Sequence, residues 1–280
     1  MSGDLKQVES LIETALKMNW SALNLSHHNL TVLPSCICKL SELKVLLLNN
    51  NRIIMPPGEL VSLTNLEELS LDHNQLTMLP TGFGDLMNLK VLSLSHNSLA
   101  FLPSEFGKLM HLTELWIVNV QLMSLPPEIC LLKQLTKLGA GENSLTCLPE
   151  KFSNLKALKW LSLVKNQITD LPHDFYKLEK LTYLDLSYNM LRNVEDSLRR
   201  SKSLVYLNLR HNDIYINPVE ISKGFISLHR LDLRHTKVTK LPTSMLHFEV
   251  ILGRNDSENY VINRKDHNRK LDLRIQRKKC

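Results

Sequence analysis

The feature that most constrains this chain is a leucine-containing segment that returns every 23 residues. Eight of the nine intervals between copies are 23 residues, and the last is 24. A constant period over most of a chain excludes a globular domain built around one central core, because equal units stack and bury a face against the next unit. The copies, numbered below from their first residue as position one, begin at Trp20, Leu43, Leu66, Leu89, Leu112, Leu135, Leu158, Leu181, Leu204 and Leu228.

Each copy has three parts. It opens with L-x-x-L-x-L, as in 181–186, whose spacing suits a short strand with one buried face. Position nine is usually Asn, whose amide both donates and accepts hydrogen bonds and can satisfy buried backbone groups at a turn. The copy closes with L-P-x-x-F/I-x-x-L, as in 102–109, where Pro begins a short helical turn. At Val120 the amide is missing, and we expect a loosened turn or a bridging water there.

These segments resemble the leucine-rich repeats of intracellular proteins of the typical 23-residue type. The repeat motif is similar to that of Ras-pathway scaffold and cell-polarity scaffold proteins, and the resemblance covers about residues 20–248. The resemblance implies an α/β leucine-rich repeat solenoid of about ten repeats. It would be a curved horseshoe with a parallel sheet on its concave face and short helices or 3-10 turns on its convex face.

The ends of the chain depart from the repeat. Residues 1–19 are predicted to form an amphipathic capping helix, because apolar side chains recur at helical spacing. Residues 20–250 form the repeat domain, and residues 251–280 a partial cap followed by a basic flexible tail. Ile251 is expected to continue the outer apolar stripe of the tenth repeat. The apolar positions of the predicted helix are Leu5, Val8, Leu11, Ile12, Ala15 and Leu16.

The basic charge of the chain lies in its tail. Residues 264–280 hold eight Lys or Arg against two Asp, a net charge of +6 that equals the net charge of the whole chain. The repeats are therefore neutral, and we expect no specific nucleic-acid binding. The tail could contact a membrane surface or simply aid solubility, and Cys280 beside it could be acylated. Five cysteines without paired spacing and no visible signal peptide predict a cytoplasmic protein, with nuclear entry through the tail as an alternative. We expect it to be a monomer.

Candidate functional residues are those that the repeat does not require. Position three points outward from the sheet, and there the chain places Trp160, Tyr183 and Tyr206 in successive repeats, followed by Arg230. Aromatic residues make up only 6% of the chain, and Trp, Tyr and Arg are enriched at binding hot spots. Trp116 stands at position five beside Gly139. The sequence predicts a partner-binding site with these rings as anchors; the alternative is that the rings only cover one another.

The same end of this face is basic. Arg210 and Arg234 lie near Asp185, and an acidic or phosphorylated peptide could dock there, although an ordinary charged rim is the simpler interpretation. Position eight is rich in His, including His73 and His96, but no set of ligands completes a metal site. No catalytic motif or nucleotide-binding loop is found, so we expect no catalytic residue, no cofactor and no metal.

The sequence therefore predicts a non-catalytic scaffold or adaptor that binds a protein partner on its concave face in intracellular signalling. The resemblance implies complexes with a small GTPase or a phosphatase. The alternative is a substrate-recognition or regulatory subunit of a larger complex, such as a ubiquitin ligase or a phosphatase.

Overall fold

The fold follows the repeat, and the chain divides into two compact units, Met1–Ser144 and Leu145–Cys280. None of the helices in the described part of the chain combines the length and apolar character needed to cross a membrane. The structure, a computed structural model, describes residues 2–198, 200–215, 225–238, 249–253 and 260–262.

Unit 1 contains one α-helix and six parallel strands that pair in sequence order. Each strand occupies positions three to five of its repeat, and partners are equivalent residues of neighbouring repeats, as in Leu69↔Leu92. The leucine at position four is fully buried in every strand, which confirms the predicted inward face. The elements are α1 (Ser2–Lys17), β1 (Ala22–Asn24), β2 (Val45–Leu47), β3 (Glu68–Ser70), β4 (Val91–Ser93), β5 (Glu114–Trp116) and β6 (Lys137–Gly139).

The L-P-x-x-F/I segments form 3-10 helices rather than full α-helices. In unit 1 the stripe of buried apolar residues includes Phe83 and Phe106, whose rings stack with centroids 5.8 Å apart. Short 3-10 helices suit this connection, because only ten residues separate Pro103 from the first residue of β5 (Glu114). The 3-10 helices of unit 1 are Ser35–Lys39, Gly58–Ser62, Phe83–Asp85, Ser104–Lys108 and Pro127–Leu131.

The Asn at position nine forms a hydrogen-bonded ladder between repeats. The Asn74 Oδ1 accepts from the Ile53 N–H at 3.0 Å, and its Nδ2 donates to the carbonyls of Leu48 and Leu71 at 2.9 Å each. Asn74 is nearly buried, so these contacts satisfy backbone groups that water cannot reach. The last repeat uses a hydroxyl instead: Thr236 Oγ1 donates to the Leu233 carbonyl at 2.7 Å.

The turn at Val120 is not loosened, which contradicts the first of the two alternatives expected from the sequence. Val120 is fully buried, and its N–H donates to the Asn143 Oδ1 at 3.0 Å. Its carbonyl accepts from the Ala100 N–H at 3.1 Å, which is possible because Ala100 adopts a left-handed φ of 56°. The fourth repeat therefore makes a backbone hydrogen bond to the Val120 turn through this left-handed residue.

Helix α1 packs with its apolar side against the first repeats of unit 1. Val8, Ile12 and Ala15 are buried, whereas Leu5 and Leu16, which were assigned to the same face, are 38% and 40% exposed. The buried stripe is thus narrower than the sequence indicates. The Trp20 N–H donates to the Ala15 carbonyl at 2.9 Å and leads the chain from the helix into the first repeat.

Unit 2 repeats the same plan and then departs from it. Strands β7 to β11 are parallel neighbours within this unit, and β12 pairs antiparallel with β11. Ile251 lies on β11 beside Asp232, so its predicted place on the outer stripe is wrong. The elements are β7 (Trp160–Ser162), β8 (Tyr183–Asp185), α2 (Glu195–Leu198), β9 (Tyr206–Asn208), β10 (Arg230–Asp232), β11 (Glu249–Leu252), β12 (Tyr260–Ile262) and the 3-10 helices Phe152–Asn154 and Phe175–Lys177.

The C-terminal tail 264–280, with Cys280, lies outside the described residues. The predictions made for it stay predictions.

Candidate functional site

Four outward side chains of unit 2 form one continuous column on neighbouring strands. The Trp160 and Tyr183 rings stack with centroids 5.2 Å apart and an interplanar angle of 10°. The Tyr183 and Tyr206 rings follow at 4.7 Å and 3°, and the Arg230 guanidinium lies 6.0 Å from the Tyr206 centroid. The parallel register produces this stack, since it aligns Trp160 with Tyr183, Tyr183 with Tyr206 and Tyr206 with Arg230. We call these four residues the ring column.

The ring column is compact rather than splayed. Because the planes are nearly parallel, each ring covers a face of its neighbour, and all three aromatic residues are half-buried. Burial raises the pKa of Tyr183 to about 12, with further contributions from Asp185 and Tyr206. Burial likewise raises the pKa of Tyr206. Both phenols are therefore neutral at physiological pH and can donate a hydrogen bond to a ligand.

Asp185 was predicted to contact a partner. In the structure its carboxylate accepts hydrogen bonds from neighbouring residues of the same unit. Its Oδ1 accepts from the Ser187 N–H at 2.9 Å and from the Ser187 hydroxyl at 2.6 Å. Its Oδ2 accepts from the Asn208 Nδ2 at 3.0 Å. Asn208 in turn accepts from the Arg210 N–H at 3.1 Å. These bonds hold the turns that follow β8 and β9, beside the ring column.

Arg234 is also engaged inside the protein. Its Nε lies 3.0 and 3.1 Å from the two carboxylate oxygens of Asp232, and its Nη2 lies 2.6 Å from Oδ2. The Asp232 side chain is only 3% exposed, so the bidentate guanidinium neutralises a buried charge. The Arg210 guanidinium lies 5.5 Å from the Tyr188 centroid. The structure thus gives Arg234 and Asp185 structural roles that the sequence did not reveal.

Trp116 belongs to unit 1, whereas the other predicted site residues belong to unit 2. Trp116 pairs with Ser93 on one side and Gly139 on the other. A Cβ at position 139 would lie 2.5 Å from the Trp116 Cε3, so the indole occupies the space that glycine leaves. Its surroundings form a shallow, open cavity of about 420 Å³ lined by Asp72, His73, Ser93, Ser95, His96, Trp116 and Val118.

The histidines at position eight form stacks. The His73 and His96 rings lie 4.2 Å apart at an interplanar angle of 10° in unit 1. In unit 2 the rings of Tyr188, His211 and His235 stack at 4.1 and 3.9 Å. Lone pairs in near-parallel ring planes do not converge on one point, so stacking is a poor arrangement for chelation. Within the described ranges, no group of three or more His, Cys, Asp or Glu side chains is placed to hold a metal ion.

Position eight has a backbone requirement that the sequence analysis missed. Its φ is positive in all ten repeats, between 52° and 62°. Position eight is occupied by His, Asn, Tyr, Glu or Lys, and all of them adopt the left-handed conformation. An aromatic ring is therefore not required at this position. The signal was present in the repeated Asn and His, which tolerate this conformation better than most residues.

Comparisons with known proteins agree with this geometry. The sequence model of a family described as a leucine-rich repeat region matches residues 81–201, and a second, described as leucine rich repeat, matches residues 65–86. The chain has the leucine-rich repeat fold.

Among solved structures, this chain is similar to a leucine-rich repeat protein from Leptospira interrogans, with 34% identity, a TM-score of 0.73 and coverage of 82% of this chain and 65% of that chain. It is similar to the functional domain of InlJ from Listeria monocytogenes, with 25% identity, a TM-score of 0.61 and coverage of 83% and 53%. It is also similar to the plant peptide hormone receptor RGFR1 in complex with RGF2, with 26% identity, a TM-score of 0.63 and coverage of 80% and 42%.

The chain thus spans 65%, 53% and 42% of the length of these three similar chains. A comparison with curated proteins gives no match. The findings support a protein-interaction domain of the kind that leucine-rich repeats generally provide.

Proposed function

We propose that this protein is a non-catalytic binding module that holds a protein partner on the strand face of unit 2, centred on the ring column. The observation that carries the proposal is the stack of Trp160, Tyr183 and Tyr206 ending on Arg230. These side chains sit at outward positions that the stacking of repeats leaves unused. A chain with only 6% aromatic residues concentrates three of them in one column.

The stack is suited to binding because its order is established before a partner arrives. Rings that are held by one another lose little conformational entropy on association, which is a main cost of forming an interface. Trp, Tyr and Arg also bring large apolar area together with a polar tip, and they dominate measured hot spots. The neutral phenols of Tyr183 and Tyr206 add hydrogen-bond donors.

The charged residues beside the ring column stabilise the surrounding turns and contribute less to direct contact with a partner. Asp185 and Arg234 already form strong internal hydrogen bonds, so a ligand would have to replace those bonds to engage their full charge. Binding on this face is therefore driven by ring edges and apolar area, with Arg230 as the exposed cation at the end of the column.

The wider role that fits these features is that of an intracellular scaffold or adaptor in signalling, located in the cytoplasm. The proposal is supported by the rigid outward column and by the absence of paired cysteine spacing in the sequence. The similar plant receptor was solved in complex with RGF2, which gives a precedent for ligand binding on this fold.

The test compares partners of the wild type with those of Tyr183→Ala, which removes the central ring of the stack. Proximity labelling of the full chain identifies partners, and each is then purified for affinity measurement. We expect Tyr183→Ala to weaken a true partner at least ~10-fold, in the range of interface hot spots. Tyr215→Ala is the matched control, because Tyr215 is in the same unit, is 62% exposed and lies outside the column.

Circular dichroism first establishes that both variants are folded. If every partner binds Tyr183→Ala and Trp160→Ala as tightly as the wild type, the ring column is not the interface and the proposal fails. The affinity of each partner for Trp116→Ala, measured in parallel, tests separately whether the strand face of unit 1 binds a partner.

A further inference from the structure

Unit 1 carries an exposed apolar row away from its strand face. Position thirteen of the first four repeats is Val32, Met55, Met78 and Phe101, and these side chains are 60%, 49%, 49% and 61% exposed. At position twelve, Ile54 and Met123 extend the row and are 53% and 72% exposed. We call these six residues the lateral apolar row. Single exposed apolar residues are ordinary, but a contiguous row in successive repeats marks an interaction surface.

The row lies in a band without charge. Positions twelve to sixteen of the first five repeats contain no Asp, Glu, Lys or Arg. The equivalent positions of the next two repeats, which belong to unit 2, include Glu150 and Asp170. The repeat itself therefore accepts charge at these positions, and its exclusion from five successive repeats is a property of this surface.

The backbone beneath the row is held in place. The Thr77 N–H donates to the Ile54 carbonyl at 3.0 Å, and the Gln75 N–H donates to the Ile53 carbonyl at 3.0 Å. In the next repeat the Ser98 N–H donates to the Leu76 carbonyl at 2.8 Å. A Pro at position fifteen of each of these five repeats further restricts the chain. The row is thus presented on an ordered edge and not on a loose loop.

The spacing of the row matches a helix. Neighbouring repeats advance by about 4.8 Å, the distance between paired strands, and an α-helix advances 5.4 Å per turn. A helix laid along the row therefore places about one apolar side chain against each repeat. An extended peptide advances roughly 6.6 Å between side chains on the same face and falls out of step sooner. Five repeats span roughly 20 Å, or about 13 residues of helix.

The border of the band is acidic. Glu59, Glu105 and Glu128 stand at position seventeen, in the first turn of three of the 3-10 helices. The Gly82 N–H donates to Glu105 Oε2 at 3.1 Å and helps to fix that carboxylate. On the other border, position ten of the first five repeats carries only one charged residue, Arg52. A second copy of this chain would bring the same acidic borders together, and an anionic membrane would be repelled.

We propose that the lateral apolar row of unit 1 docks an amphipathic helix of a protein partner, with apolar residues at i, i+3 or i+4 and i+7 and with basic residues flanking them. The row supplies the hydrophobic contact, and Glu59, Glu105 and Glu128 select the basic flank. This surface is independent of the ring column, and each can fail without the other.

The test uses the full chain and two synthetic peptides of about 15 residues, slightly longer than the helix of about 13 residues that spans five repeats. Both carry Leu at helical spacing; one has Lys at the flanking positions and the other has Glu. Binding is followed by fluorescence anisotropy and by NMR of methionine methyl groups. We expect the Lys peptide to bind and to shift the methyl signals of Met55, Met78 and Met123.

The matched pair of variants is Met78→Ser/Phe101→Ser and Met87→Ser/Met110→Ser. Met87 and Met110 are 55% and 60% exposed in the same unit but lie outside the row. The first variant should weaken binding of the Lys peptide at least 10-fold, and the second by less than 2-fold. Serine keeps the charge constant, so the difference reports lost apolar contact.

Several outcomes overturn the proposal. The row is not a helix site if neither peptide binds at 1 mM, or if both variants bind like the wild type. The charge argument fails if the Glu peptide shifts the same methyl signals with equal affinity. The methyl signals are needed because the basic residues 264–280 can attract a Glu peptide elsewhere. If Met78→Ser/Phe101→Ser instead abolishes self-association in sedimentation velocity, or binding to phosphatidylserine vesicles, the occupant is a second copy or a membrane.

Discussion

Replacing Asn74 by Val tests whether the asparagine ladder stabilises the repeats, because the fifth repeat already carries Val at the equivalent Val120. The Asn74 amide makes three close contacts with backbone groups: the Ile53 N–H, the Leu48 carbonyl and the Leu71 carbonyl. The residue is nearly buried, so any group left unpaired there is not rescued by bulk water.

The cost of Asn74→Val can be worked out group by group. The Leu48 carbonyl keeps the Asn51 Nδ2 at 2.9 Å, and the Leu71 carbonyl keeps the Asn97 Nδ2 at 3.0 Å. Only the Ile53 N–H loses its acceptor, and a buried unsatisfied donor costs about 1–3 kcal/mol. The two weakened carbonyls add about 1 kcal/mol, and burial of the valine methyl groups returns about 1 kcal/mol. The free energy of unfolding should therefore fall by about 1–3 kcal/mol.

Urea unfolding followed by far-UV circular dichroism measures this change, with the slope m compared to confirm that the folded and unfolded states are unchanged in compactness. Hydrogen exchange of the Ile53 amide gives a local readout and should accelerate. Asn88→Val is the matched control: its Nδ2 makes a single exposed contact with the Thr64 carbonyl at 2.9 Å. If Asn74→Val is no less stable than Asn88→Val, the ladder does not stabilise the repeats and the reasoning is wrong.

Three further predictions concern the strand faces. Gly139→Ala places a Cβ 2.5 Å from the Trp116 Cε3, so the indole must move; we expect a red-shifted tryptophan emission and a loss of about 1–3 kcal/mol of stability. Tyr183→Phe removes a phenol with a pKa of about 12, so the absorbance step at high pH should lose one tyrosinate. Since the folded state holds that proton more tightly than the unfolded state, wild-type stability should fall as pH rises from about 10 to about 12, and less so in the variant. Arg234→Ala leaves the buried Asp232 carboxylate without its bidentate partner and should cost about 2–4 kcal/mol in urea unfolding, whereas a cost below 0.5 kcal/mol would contradict its structural role.

The strands were predictable because the repeat shows which positions of each copy point inward, in addition to the length of the copy. Once Leu at positions one, four and six is assigned inward, the strand at positions three to five follows, as β8 (Tyr183–Asp185) shows. The prediction of strands fails where the leucine motif ends. Strand β11 (Glu249–Leu252) joins β10 through backbone hydrogen bonds, which need an exposed strand edge and no leucine pattern.

The ring column was predictable as a set of residues but not as a geometry. Equal positions of neighbouring repeats must be adjacent in a parallel sheet, so Trp160, Tyr183 and Tyr206 had to form a column. Whether they splay or stack depends on side-chain rotamers that the sequence does not state. The hydrogen bonds between Asp185 and Ser187 could not be predicted for the same reason, because they depend on a turn geometry that the repeat motif does not specify.

Position eight shows why a recurring residue type should be explained by the backbone before it is explained by a ligand. His73 and His96 hold this position in adjacent repeats, so a shared metal was considered from the sequence, although no further ligands completed a site. In the structure both adopt left-handed φ values, 53° and 57°, and their rings stack at 4.2 Å. Glu142 and Lys165 hold the same slot with φ values of 54° and 55°, so the conformation does not depend on histidine. The histidines are therefore explained by tolerance of this backbone and by ring stacking between repeats, and neither requires a bound ion.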